Sequence, residues 1–155
     1  MDFSLSRLRS VAAFAWGHER ERIFNHMAKD KGFSSSEKAL IAARAADSKK
    51  AVDIIIQDVR ELVSVTDFFV IVTAQNNRQI EAVIDEIEEQ EIKQAGVKPI
   101  GIEGAQEGFW ALLDYGDFVV HVFQPEGRDY YRLEEVWNDA PTLPFEPEGD
   151  ASQEG

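Results

Sequence analysis

The residues of this chain with the types to do chemistry are three histidines, a few well-placed aspartates and a set of glycines. His121 sits inside Phe118-Val-Val-His-Val-Phe123, an apolar run of strand length, with no nucleophile paired to it in sequence, and it reads as a packed, hydrogen-bonded core histidine. His18 and His26 lie in the N-terminal segment, where no partner pattern surrounds them. Asp67, Asp114 and Asp117 could in principle converge on a magnesium ion, because hard cations take oxygen ligands. The closely spaced carboxylate pair and the phosphate-binding loop of phosphoryl transfer are missing, however. Gly101, Gly104 and Gly108 match neither dinucleotide nor P-loop spacing. Asp and Gly are also ordinary turn residues. No catalytic residue, metal ligand or cofactor is assigned.

What stands out instead is Trp110-Ala-Leu-Leu-Asp-Tyr-Gly-Asp117, which sets large aromatic and aliphatic groups beside carboxylates. Trp and Tyr anchor protein interfaces because each buries much area at small entropic cost. Residue type alone favours core packing, since strands routinely bury such side chains. Strand alternation puts Trp110 and Leu112 on one face and Ala111 and Leu113 on the other, and both faces cannot be equally wet.

The elements that must position these residues follow from periodicity. Ser34 and Glu37 have the capping-box spacing, which predicts a helix from about Ser35 to Lys49 rich in Ala39, Leu40, Ala42, Ala43 and Ala46. Val52 to Asp58 and Phe68 to Ala74 read as strands covered on both faces. Gln75-Asn76-Asn77 then caps a helix whose buried face is Ile80, Val83, Ile84 and Ile87; Asp85, Glu86, Glu88, Glu89 and Glu91 form its wet face, and Gly96 ends it. Lys98 to Glu103, Phe109 to Asp114 and Phe118 to Phe123 read as three more strands, the last two joined by a tight hairpin at Tyr115-Gly116. A final helix, about Asp129 to Trp137, buries Tyr130, Leu133 and Trp137. The result is an α/β domain with a mixed sheet of about five strands flanked by helices.

Length and composition fit one domain. The chain has 155 residues, 44% of them hydrophobic, which is material for one ordinary core. Residues 1–33 form an N-terminal extension with two short amphipathic stretches around Gly17, residues 34–140 the domain, and residues 141–155 an acidic, proline-bearing tail expected to be disordered. No run approaches the ~20 apolar residues that span a bilayer, so no membrane partner is expected. The lack of cysteine excludes disulfides, zinc-thiolate sites and thiol nucleophiles, and fits the cytosol. Residues 3–17 contain Arg and Ser and no acid, the composition of an organellar targeting segment, until Glu19 and Glu21 interrupt it.

Net charge is −13, and residues 34–140 carry 10 basic and 21 acidic residues, hence −11. Such a domain repels phosphates at long range, so direct nucleic-acid binding is not expected to dominate, and basic partners are favoured. The same excess of carboxylates also serves plain solubility.

Three stretches carry a resemblance. Ser64-Val-Thr-Asp-Phe-Phe-Val-Ile71, Trp110 through Phe123, and Arg128-Asp-Tyr-Tyr-Arg-Leu-Glu-Glu-Val-Trp137 resemble the Iojap-like ribosomal silencing factors, in register over about Ser36 to Ala140. The resemblance implies a nucleotidyltransferase-like fold without the catalytic signature. It also implies docking on the large ribosomal subunit through a uL14-type protein, so that the small subunit is sterically excluded and translation falls. By motif, the contact surface would draw on Trp110, Leu112, Leu113, Asp114, Tyr115 and Asp117, with Asp67 and Glu103 as neighbours. It turns the reading of the Trp segment from core to an accessible hairpin facing a basic ribosomal protein. A nucleotidyl- or phosphotransferase built on Asp67, Asp114 and Asp117, a large-subunit assembly factor, and a homodimer paired through an open strand edge remain as alternatives.

Overall fold

A computed structural model describes residues 31–105 and 109–147. The two amphipathic stretches of the N-terminal extension, His18 and His26 lie outside the described residues, as does the tail beyond residue 147.

The helix α1 (Ser35–Ser48) opens on the expected capping box: the Glu37 amide donates to Ser34 Oγ at 3.2 Å, and the Ser34 amide donates to Glu37 Oε1 at 2.8 Å. Its buried face is mostly alanine, at positions 39, 42, 43, 45 and 46, with Ile41 and Lys38. Small side chains let this helix lie close on its neighbours. Strands β1 (Val52–Asp58) and β2 (Phe68–Thr73) pair antiparallel, with a bulge near Asp53, which has φ 53°.

Helix α2 (Asn77–Ala95) starts at Asn76, whose side chain accepts from the Gln79 amide at 2.9 Å, and stops at Gly96 in the left-handed conformation. Both signals were legible in the sequence. Then come β3 (Gly101–Glu103), β4 (Trp110–Asp114) and β5 (Phe118–Phe123). Strand β3 is shorter than the Lys98–Glu103 expectation, because Pro99 cannot donate to a ladder.

The five strands form one mixed sheet in the order β1-β2-β5-β4-β3. Strand β5, last in the chain, lies between β2, to which it runs parallel, and β4, to which it runs antiparallel. All residues of β2, β4 and β5 are buried. One apolar cluster joins α1 and α2 to the sheet face bearing Val70, Val72, Ala111, Leu113, Val120 and Val122. A second, smaller cluster lies on the opposite face and holds Phe69, Ile71, Trp110, Leu112, Val119, Phe123 and Leu133.

The last helix departs from expectation. Instead of one helix over Asp129–Trp137 there are two, α3 (Pro125–Tyr131) and α4 (Leu133–Val136), separated by Arg132 at φ 48°. Pro125 occupies the first turn of α3, where its missing N–H costs nothing. The break swings Tyr130 outward to 60% exposure while Leu133 stays buried. Arg128 holds the pair in place, donating to Thr73 Oγ1 at 2.8 Å and to Glu134 Oε2 at 3.1 Å, and Gln57 Nε2 donates to the Glu134 carbonyl at 2.9 Å.

Helix α3 also sits hard against the start of β4. A Cβ on Gly127 would fall 2.6 Å from the Phe109 carbonyl oxygen, a backbone atom that cannot swing aside. Gly127→Ala is therefore expected to push α3 off the sheet and destabilise the fold by about 1–3 kcal/mol; an unchanged urea midpoint would show that the helix yields freely.

The expected wholly disordered tail is a second correction. The Asp58 amide donates to the Pro141 carbonyl and the Leu143 amide to the Ile56 carbonyl, both at 2.8 Å, so residues 141–143 pair with the outer edge of β1. Leu143 and Phe145 pack against the larger cluster. Proline forbids a helix here but not an edge bridge that uses the carbonyl of Pro141 and the N–H of Leu143.

Candidate functional site

The hairpin between β4 and β5 is as tight as Tyr115-Gly116 suggested. The Tyr115 amide donates to the Phe118 carbonyl at 3.0 Å, Gly116 takes φ 93°, and its amide donates to Asp114 Oδ1 at 2.8 Å. A side chain at Gly116 would be strained in that conformation. The Tyr115 and Phe118 rings stack, with centroids 4.6 Å apart.

The expectation of an accessible aromatic hairpin is overturned. Trp110, Leu112, Leu113, Asp114 and Tyr115 are each no more than 3% exposed. The reason is topological: β4 is an inner strand, paired with β3 and β5, and both of its faces are covered. Alternation itself is as expected, with Trp110 and Leu112 in the smaller cluster and Ala111, Leu113 and Tyr115 in the larger. Trp110 stacks on Phe123 at 4.8 Å, meets Tyr131 at 4.6 Å, and donates from Nε1 to His121 Nδ1 at 2.9 Å. His121 is fully buried with its ring edge-on to Phe69, the packed histidine expected from its strand.

The remaining candidates, Asp67, Asp117 and Glu103, are partly accessible. Asp67 and Asp117 lie together where β2 and β5 begin, and the Asp67 amide donates to the Asp117 carbonyl at 2.8 Å. Glu103 lies apart, at the end of edge strand β3, paired with Leu112. Asp58 shares the sheet end with Asp67; the Arg60 guanidinium hydrogen-bonded to it holds its carboxyl below the usual range. Among the described residues no group of three or more His, Asp or Glu side chains is arranged to hold a metal ion.

Sequence reasoning missed the polar cluster beneath this hairpin. Lys38, fully buried on α1, pairs with Asp117 at 2.7 Å. Glu91 of α2 is also fully buried, not on the wet face expected for it. Burial pushes its carboxyl up to about 9, against the pull of the Lys38 charge and with a further push from Asp117. Tyr115 is raised by burial and by Glu91 and Glu88. The signal was present: Ile80, Ile84, Ile87 and Glu91 continue one four-three-four spacing, and Ile92 is the residue left exposed.

This mixed sheet, with a buried hairpin and carboxylates at one end, is an α/β scaffold. The chain matches the family described as ribosomal silencing factor during starvation over residues 33–155. It is 42% identical over 101 residues to the ribosomal silencing factor of Bacillus subtilis, a span covering 65% of this chain and 85% of that protein. It is 40% identical over 110 residues to the chloroplastic Iojap protein of Zea mays, covering 70% of this chain and 47% of that one. A crystal structure of a Chromobacterium violaceum protein superposes with a TM-score of 0.65 at 34% identity, covering 74% of this chain and 96% of the other. The chain belongs to the ribosomal silencing factor family.

Proposed function

We propose that this chain docks on the large ribosomal subunit through a basic, uL14-type ribosomal protein and, by its bulk, keeps the small subunit from joining. Obstruction of this kind needs affinity and position only, with no bond chemistry. The observation that carries the reading is the family match over residues 33–155. Two features support it: the net charge of −13, which favours encounter with a basic surface, and the partly accessible Asp67 and Asp117 side by side at one sheet end, with Glu103 at the edge strand. In this reading Trp110, Leu112, Leu113, Asp114 and Tyr115 act from inside, fixing the strand and turn that present those carboxylates.

Sedimentation of mixed subunits with added protein at physiological salt should show fewer joined ribosomes, and unchanged joining would count against silencing by obstruction. Asp67→Lys with Glu103→Lys, both on accessible side chains, is expected to weaken co-sedimentation with large subunits at least about tenfold without altering the circular dichroism spectrum. Full retention of binding would move the contact elsewhere. Preferential capture of large-subunit precursors would instead favour an assembly role.

A further inference from the structure

The end of the sheet opposite Asp117 carries a different surface. Strand β5 runs six residues from Phe118 to Phe123 before α3 begins, so this patch lies about 20 Å from the Asp67–Asp117 pair along the strand. Here a concavity of about 600 Å³ is lined by Phe109, Glu126, Gly127, Asp129, Tyr130 and Tyr131. Phe109 is 54% and Tyr130 60% exposed, unusual for rings in a domain that buries the aromatics of its sheet. Tyr130 and Tyr131 meet edge to face at 5.1 Å and 88°, so their rings form a right-angled corner. Tyr131 is itself propped against buried Trp110, which fixes the inner wall.

Glu126, Asp129 and Tyr130 stand at the i, i+3 and i+4 positions of α3 and therefore share one side of the helix. Neither Glu126 nor Asp129 is engaged in an ion pair among the described residues, whereas the neighbouring Arg128 and Arg132 are taken up by Glu134 and Glu135. An aromatic corner beside two available carboxylates matches a cation that is flat on its faces and a multiple donor at its edge. Arginine meets both conditions: its guanidinium stacks on aromatic rings and forks onto carboxylates, while a lysine ammonium offers a point charge and no plane. A nucleotide base would also stack, but its phosphate would face Glu126, Asp129 and a chain of net charge −13.

We propose that this concavity is a docking pocket for an arginine side chain of a basic protein partner, a second contact separate from the Asp67–Asp117 end. It goes beyond the subunit-docking proposal and borrows from it only the kind of partner. The test is titration of the peptide acetyl-Gly-Arg-Gly-amide into isotope-labelled full chain, followed by amide chemical shifts. Saturable shifts are expected at Phe109, Gly127, Asp129, Tyr130 and Tyr131, with no comparable response to the citrulline peptide, which keeps the shape and loses the charge. Glu126→Gln with Asp129→Asn, both on exposed side chains, should weaken the arginine peptide about fivefold or more, and Tyr130→Ala likewise. Absence of saturable shifts, an equal response to citrulline, or shifts at these amides with uridine monophosphate in place of the peptide would each overturn the assignment. No ribosome enters the titration, so the two proposals fail separately.

Discussion

Trp110→Ala is expected to lower the stability of the fold by about 3–5 kcal/mol, the range for deleting a large buried aromatic side chain. The side chain is 2% exposed, stacks on Phe123, props Tyr131 and donates to His121 Nδ1, so its removal leaves a cavity and a buried imidazole nitrogen without that donor. Against a typical total of about 5–15 kcal/mol, the loss removes a large share of the stability. Trp110→Phe keeps the stacking but gives up the bond to His121, and should cost about 1–3 kcal/mol. Urea unfolding of the three proteins checks both figures. A Trp110→Ala protein as stable as its parent but unable to bind large subunits would restore the accessible-anchor reading that burial argues against.

The second large effect concerns pH. Glu91 has an ordinary value of 4.5 in the unfolded chain and about 9 in the folded one. Between those values the unfolded chain releases the proton and the folded chain keeps it, so stability must fall as pH rises. The contribution is fully present below about 4.5 and is lost as pH climbs through about 9. The ceiling on the slope is about 1.4 kcal/mol per pH unit for one proton. Glu91→Gln cannot ionise. It should match the parent near pH 5, exceed it clearly at pH 8 to 9, and show a flatter melting temperature across that range. The groups facing this carboxyl are Lys38 from α1 and Asp117 and Tyr115 from the hairpin, while Glu88 of the same helix acts on Tyr115. A slope that survives the substitution would show that Glu91 is not its source.

Much of the architecture was readable because local and global preferences agree. Ser34 with Glu37, the Gln75-Asn76-Asn77 run, and Gly96 state where α1 and α2 begin and where α2 ends, each through a hydrogen-bonding or backbone requirement that few residues meet. The uninterrupted apolar runs of β2 and β5 announced strands covered on both faces, and those two are the parallel pair. What escaped was tertiary. Whether β4 faces solvent depends on which strands flank it, and nothing within Trp110–Asp114 says that β3 and β5 do. Residue types that anchor interfaces are the same types that fill cores, so the segment supports either account until its neighbours are known.

Glu91 shows the opposite failure. Its position on the helix placed it inward, and its charge argued otherwise; position won because a carboxyl that holds its proton can be buried at tolerable cost. Gly127 was silent for a further reason. Its need for no side chain comes from the Phe109 carbonyl, which belongs to another element altogether.

The placement of β5 has a consequence for how the molecule comes into being. During synthesis β1, β2 and α2 emerge early, yet β2 waits for its inner neighbour until residue 123 has been made, because the strand that completes the middle of the sheet is the last of the five to be translated. Closing that gap joins segments far apart along the chain, a step that loop entropy makes slow. A chain cut short before β5 would therefore have an unfilled central slot in its sheet and would lack the Tyr115-Gly116 hairpin that β5 closes.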